Sequence, residues 1–194
     1  MNEQFLILIS AGLVSNLILD HMLGVDPVLA VSRKIEPAVD LSILMLLVLP
    51  VTTSGAYLLN SLVLIPFELA YLRITGLVML TSLLVLITAW LTSILKPSLF
   101  TRIEMYIPLV LVNGAVLGVA LLNIESQPDF MSSISFGIGS ALGFGLLILI
   151  ISAIRDKIAA ADVPAPFRGI PLLLTTLGLM SMAFMGFAGI GSNI

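Results

Sequence analysis

Few side chains in this sequence could do chemistry, and most of them lie near the ends of apolar segments. The chain has no cysteine and one histidine, His21, which excludes disulfides, thiolate-bound metals, thiol nucleophiles and sites that need several imidazoles. We expect no catalytic residue and no metal site. The remaining candidates for binding an ion or a proton are Asp20, Asp26, Glu68, Arg73 and Glu104. Interface anchoring is the alternative, because an ionisable group at mid-bilayer costs about 2.5 to 3.5 kcal/mol and less near the interface.

Two asparagines, Asn16 and Asn113, each lie near the middle of an apolar segment, and Asn113 directly precedes Gly114. Gly costs roughly 1 kcal/mol against Ala in a helix, and Asn competes for backbone hydrogen bonds. Both positions therefore favour a helix that breaks at the membrane midplane, where irregular backbone must be buried or line a cavity. We predict that the two amides form a polar pair facing each other at the midplane. The alternative is that each amide bonds a neighbouring helix.

The composition indicates an all-α integral membrane protein. Of 194 residues, 59% are hydrophobic and 10% charged, whereas soluble domains carry roughly 25% charged residues. A net charge of −3 and eight Lys and Arg give no sign of nucleic acid binding. Uncharged runs cover 4–19, 41–67, 74–95, 105–124, 130–154 and 169–194. About 20 apolar residues span a bilayer as a helix. Five of the runs are therefore long enough to cross, and the first is long enough if it extends to Gly24.

Six transmembrane helices follow from these runs. We predict them near 4–24, 38–60, 66–92, 103–123, 132–154 and 170–191, and we expect helices one and four to be interrupted. Spacings of small residues predict close helix packing. They occur between Gly137 and Gly145 and again at Gly186, Gly189 and Gly191.

The chain shows two similar halves within one membrane domain, 1–194. LVSN at 13–16 resembles LVN at 111–113, and IPF at 65–67 resembles APF at 165–167. The offsets are 97 to 98 residues for the first pair and 100 for the second. Three helices in each half make the halves inverted repeats, about 1–97 and 98–194, which place a site near the midplane. Chance similarity in a Leu- and Val-rich chain is the alternative.

Residues 161–169, with the sequence ADVPAPFRG, resemble a loop of the RnfA/NqrE family of membrane subunits. AVLGVALLN at 115–123, GLMS at 178–181, AVSRK at 30–34, and Ile65-Pro66 with Tyr71-Leu72-Arg73 fit the same family, so the resemblance covers essentially the whole chain. Family members belong to bacterial inner-membrane complexes, of the Rnf type, that couple NADH/ferredoxin electron transfer to Na⁺ or H⁺ translocation. The resemblance implies six helices in inverted repeats and a paralogous RnfE-like partner of opposite orientation. It also implies RnfB, RnfC, RnfD and RnfG subunits that carry flavins and iron–sulfur clusters.

The cluster ligands of the family do not carry over to this chain. The resemblance implies one cysteine after the first helix and one in the fourth, and these positions are Asp26 and Gly114 here. A cluster of this type needs four ligands, normally thiolates. We therefore expect this chain alone to bind no cofactor. It is then either a divergent electron-transfer subunit or a non-redox scaffold. An autonomous small transporter or channel built on the inverted repeat is a further alternative.

The basic residues predict the orientation of the chain. Of eight Lys and Arg, all but Arg73 fall in three loops on one side: Arg33, Lys34, Lys96, Arg102, Arg155, Lys157 and Arg168. Basic loops stay in the cytoplasm, so both termini are expected to be periplasmic.

A C-terminal alkaline phosphatase fusion should be active. An inactive fusion, with an active cytoplasmic reporter at the same position, would reverse this orientation.

Overall fold

The protein is helical throughout the part of the chain that the computed structural model describes, which is 3–14, 16–32, 34–126, 129–159 and 162–186. Its helices are α1 (Glu3–Ile9), α2 (Val25–Val31), α3 (Ile35–Leu59), α4 (Arg73–Leu95), α5 (Pro97–Ile103), α6 (Ile107–Leu111), α7 (Gly114–Ser126), α8 (Phe130–Ala159) and α9 (Ile170–Met185). π-helical turns continue α1 over Ser10–Val14 and α3 over Asn60–Leu64. Over this part of the chain, the all-α prediction is confirmed.

Three segments are long and apolar enough to cross a membrane, namely Ile35–Leu64, Ala70–Leu95 and Phe130–Arg155. A fourth is formed by Pro97–Leu111 and Gly114–Ser126 if these two helices, bent by 67°, count as one span. Gln4–Leu13 and Ile170–Met185 are apolar but shorter. The described residues therefore form a membrane protein with three or four candidate spans by length and composition.

Helix one is shorter than predicted. We expected a helix near 4–24 that is interrupted at Asn16; the helical segment ends at Val14, in agreement with the interruption, but residues 16–24 form turns in place of a second helical half. Met22 and Gly24 have φ of 54° and 79°, the left-handed region that helices do not use. Apolar composition alone could not reveal this, because a turn whose backbone is hydrogen-bonded within the protein can be as apolar as a helix.

The start of the third predicted helix was also placed too early. We expected it at residue 66, but α4 begins at Arg73, after a 3₁₀ turn at Ala70–Leu72. Glu68 has φ of 54°, which ends any helical path through this segment. The predicted start of helix six at residue 170 is the observed start of α9, and its predicted end at 191 lies outside the described residues. The remaining predicted boundaries differ from the observed ones by one to six residues.

Helix α8 packs against α1 without bulky side chains between them. A Cβ on Gly143 would lie 2.8 Å from the Cα of Gly12, and a Cβ on Gly12 would lie 3.1 Å from the carbonyl oxygen of Gly139. Ser135 Oγ donates to Gln4 Oε1 at 2.6 Å. The two helices run side by side in the same direction. The packing predicted for the Gly137–Gly145 segment is confirmed. A Cβ on Gly186 would meet only the Ala183 carbonyl oxygen, at 3.2 Å in the same segment, so the described residues show no such packing there, and Gly189 and Gly191 lie outside them.

Helix α3 crosses the same central helix in the opposite direction. A Cβ on Gly137 would lie 2.7 Å from the Cα of Pro50, and one on Gly145 would lie 3.3 Å from Ser42 Cβ. Farther along α8, Arg155 Nη1 donates to the Leu29 carbonyl oxygen at 3.1 Å and to Ser32 Oγ at 2.8 Å. Three segments of the chain are thereby fixed at defined heights along α8.

Two polar contacts join helices that are distant in sequence. Arg102 of α5 forms an ion pair with Asp40 of α3. Asn123 Nδ2 of α7 donates to the carbonyl oxygen of Thr53 in α3 at 3.0 Å, and both residues are buried. These contacts bind both halves of the bent α5–α7 segment to α3.

The close approach at Gly143 predicts a selective effect of one methyl group. Gly143→Ala should destabilise the protein by about 1 to 3 kcal/mol, because the backbone at Gly12, in the π-helical turn that continues α1, must move away. Gly178→Ala is the matched control, since its new Cβ would meet no atom within 4 Å and Ala favours the helix. Thermal unfolding in detergent measures both. Equal melting temperatures for the two variants would contradict this packing.

Candidate functional site

The candidate site lies where the interruptions of two helices meet. A Cβ on Gly24 would lie 2.9 Å from Ala115 Cβ, 3.0 Å from Phe144 Cε2 and 3.7 Å from Asn113 Oδ1. Gly24 ends the turn that follows α1, and Asn113 precedes α7. The site is therefore built from the first helical segment, the bent α6–α7 pair and the middle of α8.

Asn16 supports the first interruption with its own side chain. Its Nδ2 donates to the Gly12 carbonyl oxygen at 2.9 Å, and its Oδ1 accepts from the Ile18 N–H at 3.1 Å. The residue is 1% exposed. The amide thus replaces backbone partners on both sides of the break, so the backbone can turn there while its polar groups remain bonded. Leu23 N–H closes the turn by donating to the Leu17 carbonyl oxygen at 2.9 Å.

Asn113 supports the second interruption in a similar way. Its Oδ1 accepts from the Ala115 N–H at 2.8 Å, and its carbonyl oxygen accepts from the Val116 N–H at 3.2 Å. Asn113 therefore caps α7 and is 7% exposed. Its Nδ2 is buried and has no hydrogen-bond partner among the described residues. The helix interruption predicted at Asn113 is confirmed by the 67° bend between the helices on either side.

The height of this site along α8 places it near the middle of a membrane span. Phe144 is 14 residues from Phe130 and 11 from Arg155, the ends of the candidate span, which is about 21 Å and 17 Å at 1.5 Å per residue. Gly24 lies beside the ring of Phe144 and is therefore at the same height along α8. Both interruptions are therefore remote from either end of α8.

Asp26 and Gly114, the two positions at which the resemblance implies cysteines, are on the outside of the protein. Asp26 is exposed in the first turn of α2, and Gly114 is exposed at the start of α7. A Cβ on Gly114 would meet no atom within 4 Å. Val112, beside it, is 87% exposed. The surface next to Gly114 thus has room for a group supplied from outside the chain.

The other predicted ionisable residues are spread over the structure. Asp20 Oδ2 lies 3.4 Å from His21 Nε2 in the turn after α1, whereas Glu68 and Glu104 are exposed in other turns. Arg73 Nε is buried without a hydrogen-bond partner among the described residues. Within the same part of the chain, Glu68 and Arg73 form no ion pair, and no three His, Asp or Glu side chains come together as metal ligands would.

Asn16 and Asn113 are both buried, but the hydrogen bonds of each side chain remain within its own segment. Their facing each other across an axis stays a prediction. Sequence reasoning missed the Arg102–Asp40 pair and the Asn123–Thr53 bond. The available signal for the first was Asp40, an acid at the start of the long apolar part of α3.

Comparison with known proteins identifies the relatives of this chain. A family model described as an Rnf-Nqr subunit, a membrane protein, matches residues 4–191. The A subunit of the ion-translocating oxidoreductase complex of Shewanella sediminis (strain HAW-EB3) is 44% identical over 190 residues, covering 98% of this chain and 99% of the relative. Proteins of the same name from Shewanella baltica (strain OS223) and Shewanella amazonensis (strain ATCC BAA-1098 / SB2B) are each 43% identical over the same lengths. On a match of this extent, the chain belongs to the Rnf-Nqr family of membrane-protein subunits.

Proposed function

We propose that this protein is a membrane subunit of an Rnf-type complex that couples NADH/ferredoxin electron transfer to the translocation of Na⁺ or H⁺. One observation carries the proposal. Relatives named as the A subunit of an ion-translocating oxidoreductase complex align with 98% of this chain and 99% of their own length. The buried, interrupted helices agree with this function, because irregular backbone at mid-membrane depth is a feature of ion-coupling proteins.

The redox chemistry belongs to partner subunits in this proposal. This chain has no thiol and one imidazole, so it offers few of the ligands that hold iron–sulfur clusters. The flavins and clusters are then carried by RnfB-, RnfC-, RnfD- and RnfG-like subunits. An RnfE-like paralogue of opposite orientation lies beside this chain.

A cluster held by this subunit itself does not fit its residues. At the two family positions, Asp26 offers a carboxylate and Gly114 offers no side chain. The open space beside Gly114 admits a partner side chain or a partner's cofactor. We therefore assign no electron-transfer step to residues of this chain.

Two inverted repeats, about 1–97 and 98–194, with six crossings remain our proposal for the architecture. The two interruptions support it, because Asn16 and Asn113 are 97 residues apart and each accepts a hydrogen bond from the N–H two residues later. In this arrangement the two shorter apolar helices, Gln4–Leu13 and Ile170–Met185, complete the crossings. The basic loops then face the cytoplasm, and both termini lie on the periplasmic side of the inner membrane.

Copurification tests the proposed function. An affinity tag on this chain should recover larger subunits with bound flavin and iron from membranes solubilised in a mild detergent. Untagged membranes are the control. A lone homo-oligomer that transports ions in liposomes would contradict the proposal and favour a transporter. A complex that still pumps ions with Asn16 and Asn113 both replaced by Ala would favour a scaffold.

Replacing Asp26 tests the assignment of the cluster to other subunits. Asp26→Ala should leave the iron content of the purified complex unchanged, because the carboxylate holds no iron. Asp162→Ala, at another exposed acid, is the matched control for loss of one negative charge. Iron measured by mass spectrometry after acid digestion gives the readout. A stoichiometric loss of iron in Asp26→Ala alone would show that this chain binds a cluster.

A further inference from the structure

We propose that the turn tip formed by Asp20, His21 and Met22 is covered by a second membrane-embedded chain of different sequence, which presents a Lys or Arg side chain to Asp20. The inference rests on the proposed function, because a multisubunit complex supplies such a chain. It adds the surface that the partner covers and the charge that the partner carries.

Both ends of this turn lie at the middle of α8. The turn starts at Asn16, whose Nδ2 would lie 2.9 Å from a Cβ on Gly143, and it ends at Gly24, beside Phe144. Adjacent residues of α8 thus mark the beginning and the end of the turn. The chain leaves α1 and returns at the same height, so the tip projects from the middle of the span.

Helix α9 gives a second measure of the same height. Ser181 Oγ donates to the carbonyl oxygen of Leu19 at 2.9 Å, and Leu19 directly precedes the tip. Ser181 is 11 residues from Ile170, the start of α9, or about 17 Å along the helix. Leu23, directly after the tip, packs on α7, where its Cγ would lie 3.3 Å from a Cβ on Gly118. The residues flanking the tip are therefore held by α9 on one side and by α7 on the other.

The tip itself is exposed in the single chain. The side chains of Asp20 and His21 are 57% and 35% exposed, and Met22 is 56% exposed. Ionisable residues at this depth face protein or a water-filled cavity, because hydrocarbon does not solvate them. Lipid is therefore a poor neighbour for the tip, and in a multisubunit complex another protein chain is available to cover it.

The negative charge of Asp20 indicates which kind of protein chain covers the tip. Within the described residues the only ion-pair partner of Asp20 is the adjacent His21, and Asp26 follows four residues beyond the tip at the start of α2. A second copy of this chain that used the same surface about a two-fold axis would add its own Asp20 and Asp26 to the same interface. Like charges across an interface disfavour association, whereas a complementary charge favours the specific partner. A different chain with a basic side chain fits the tip.

Crosslinking tests the position of the partner. The chain has no cysteine, so Met22→Cys gives this chain a single attachment point for a maleimide–benzophenone reagent, and the wild-type complex treated in the same way controls for thiols of the other subunits. We expect an ultraviolet-dependent product that contains this chain and one other subunit, identified by mass spectrometry. Met79→Cys is the matched control, because Met79 is 70% exposed on α4, and its yield of protein crosslinks should be lower.

Other products of this experiment would overturn the inference. A product with twice the mass of this chain would identify a second copy as the occupant. Lipid adducts alone, while the tagged chain still recovers the other subunits, would overturn the inference and leave the proposed function standing. If no other subunit is recovered, the proposed function fails as well.

Charge reversal tests the chemistry of the partner. Asp20→Lys should lower the recovery of the crosslinked subunit at least about tenfold, and Asp20→Asn should lower it less. The yield and monodispersity of each variant in detergent control for folding. Exchanging the partner's basic residue for Asp should restore recovery with Asp20→Lys. Equal recovery of the subunit with wild type and both variants would refute a basic counterpart.

Discussion

Backbone hydrogen bonding at the two helix interruptions is the constraint on which the site depends. Inside a bilayer, a chain can leave the helical conformation only where each freed N–H and C=O finds another partner. Asn16 and Asn113 supply these partners, since their side-chain oxygens accept from the N–H of Ile18 and Ala115. Without them, the turn that ends at Gly24 could not lie against the start of α7.

Helix α8 determines how deep the interruptions lie. Its glycines let α1 approach on one face and α3 on another, and Arg155 holds α2 and the residue after it, Ser32, beside the last turns of α8. Each neighbour is therefore held at a defined height rather than sliding along a smooth apolar surface. The middle of the span becomes a place where short helical segments, turns and polar side chains can coexist.

Sequence reasoning reached the membrane location, the family and the interruption at Asn113, because composition and local helix weakness are both visible along the chain. It predicted the break at Asn16, and the helical segment does end before that residue. It missed that turns continue as far as Gly24, since an uncharged run of 16 residues followed by two polar residues has the composition of a short span. It also missed the contacts of Asp40 and Asn123. Their partners are 62 and 70 residues away, and only the arrangement of helices brings them together.

The ion pair between Asp40 and Arg102 affects the order in which the helices assemble during translation. Asp40 is synthesised 62 residues before its cation, a delay of roughly 3 to 12 s at about 5 to 20 residues per second. During that time α3 enters the insertion machinery with an acid near its first turns and without this counter-ion. Docking of α5 onto α3 can follow only when Arg102 has emerged, so the pair sets an order in which the nascent helices assemble.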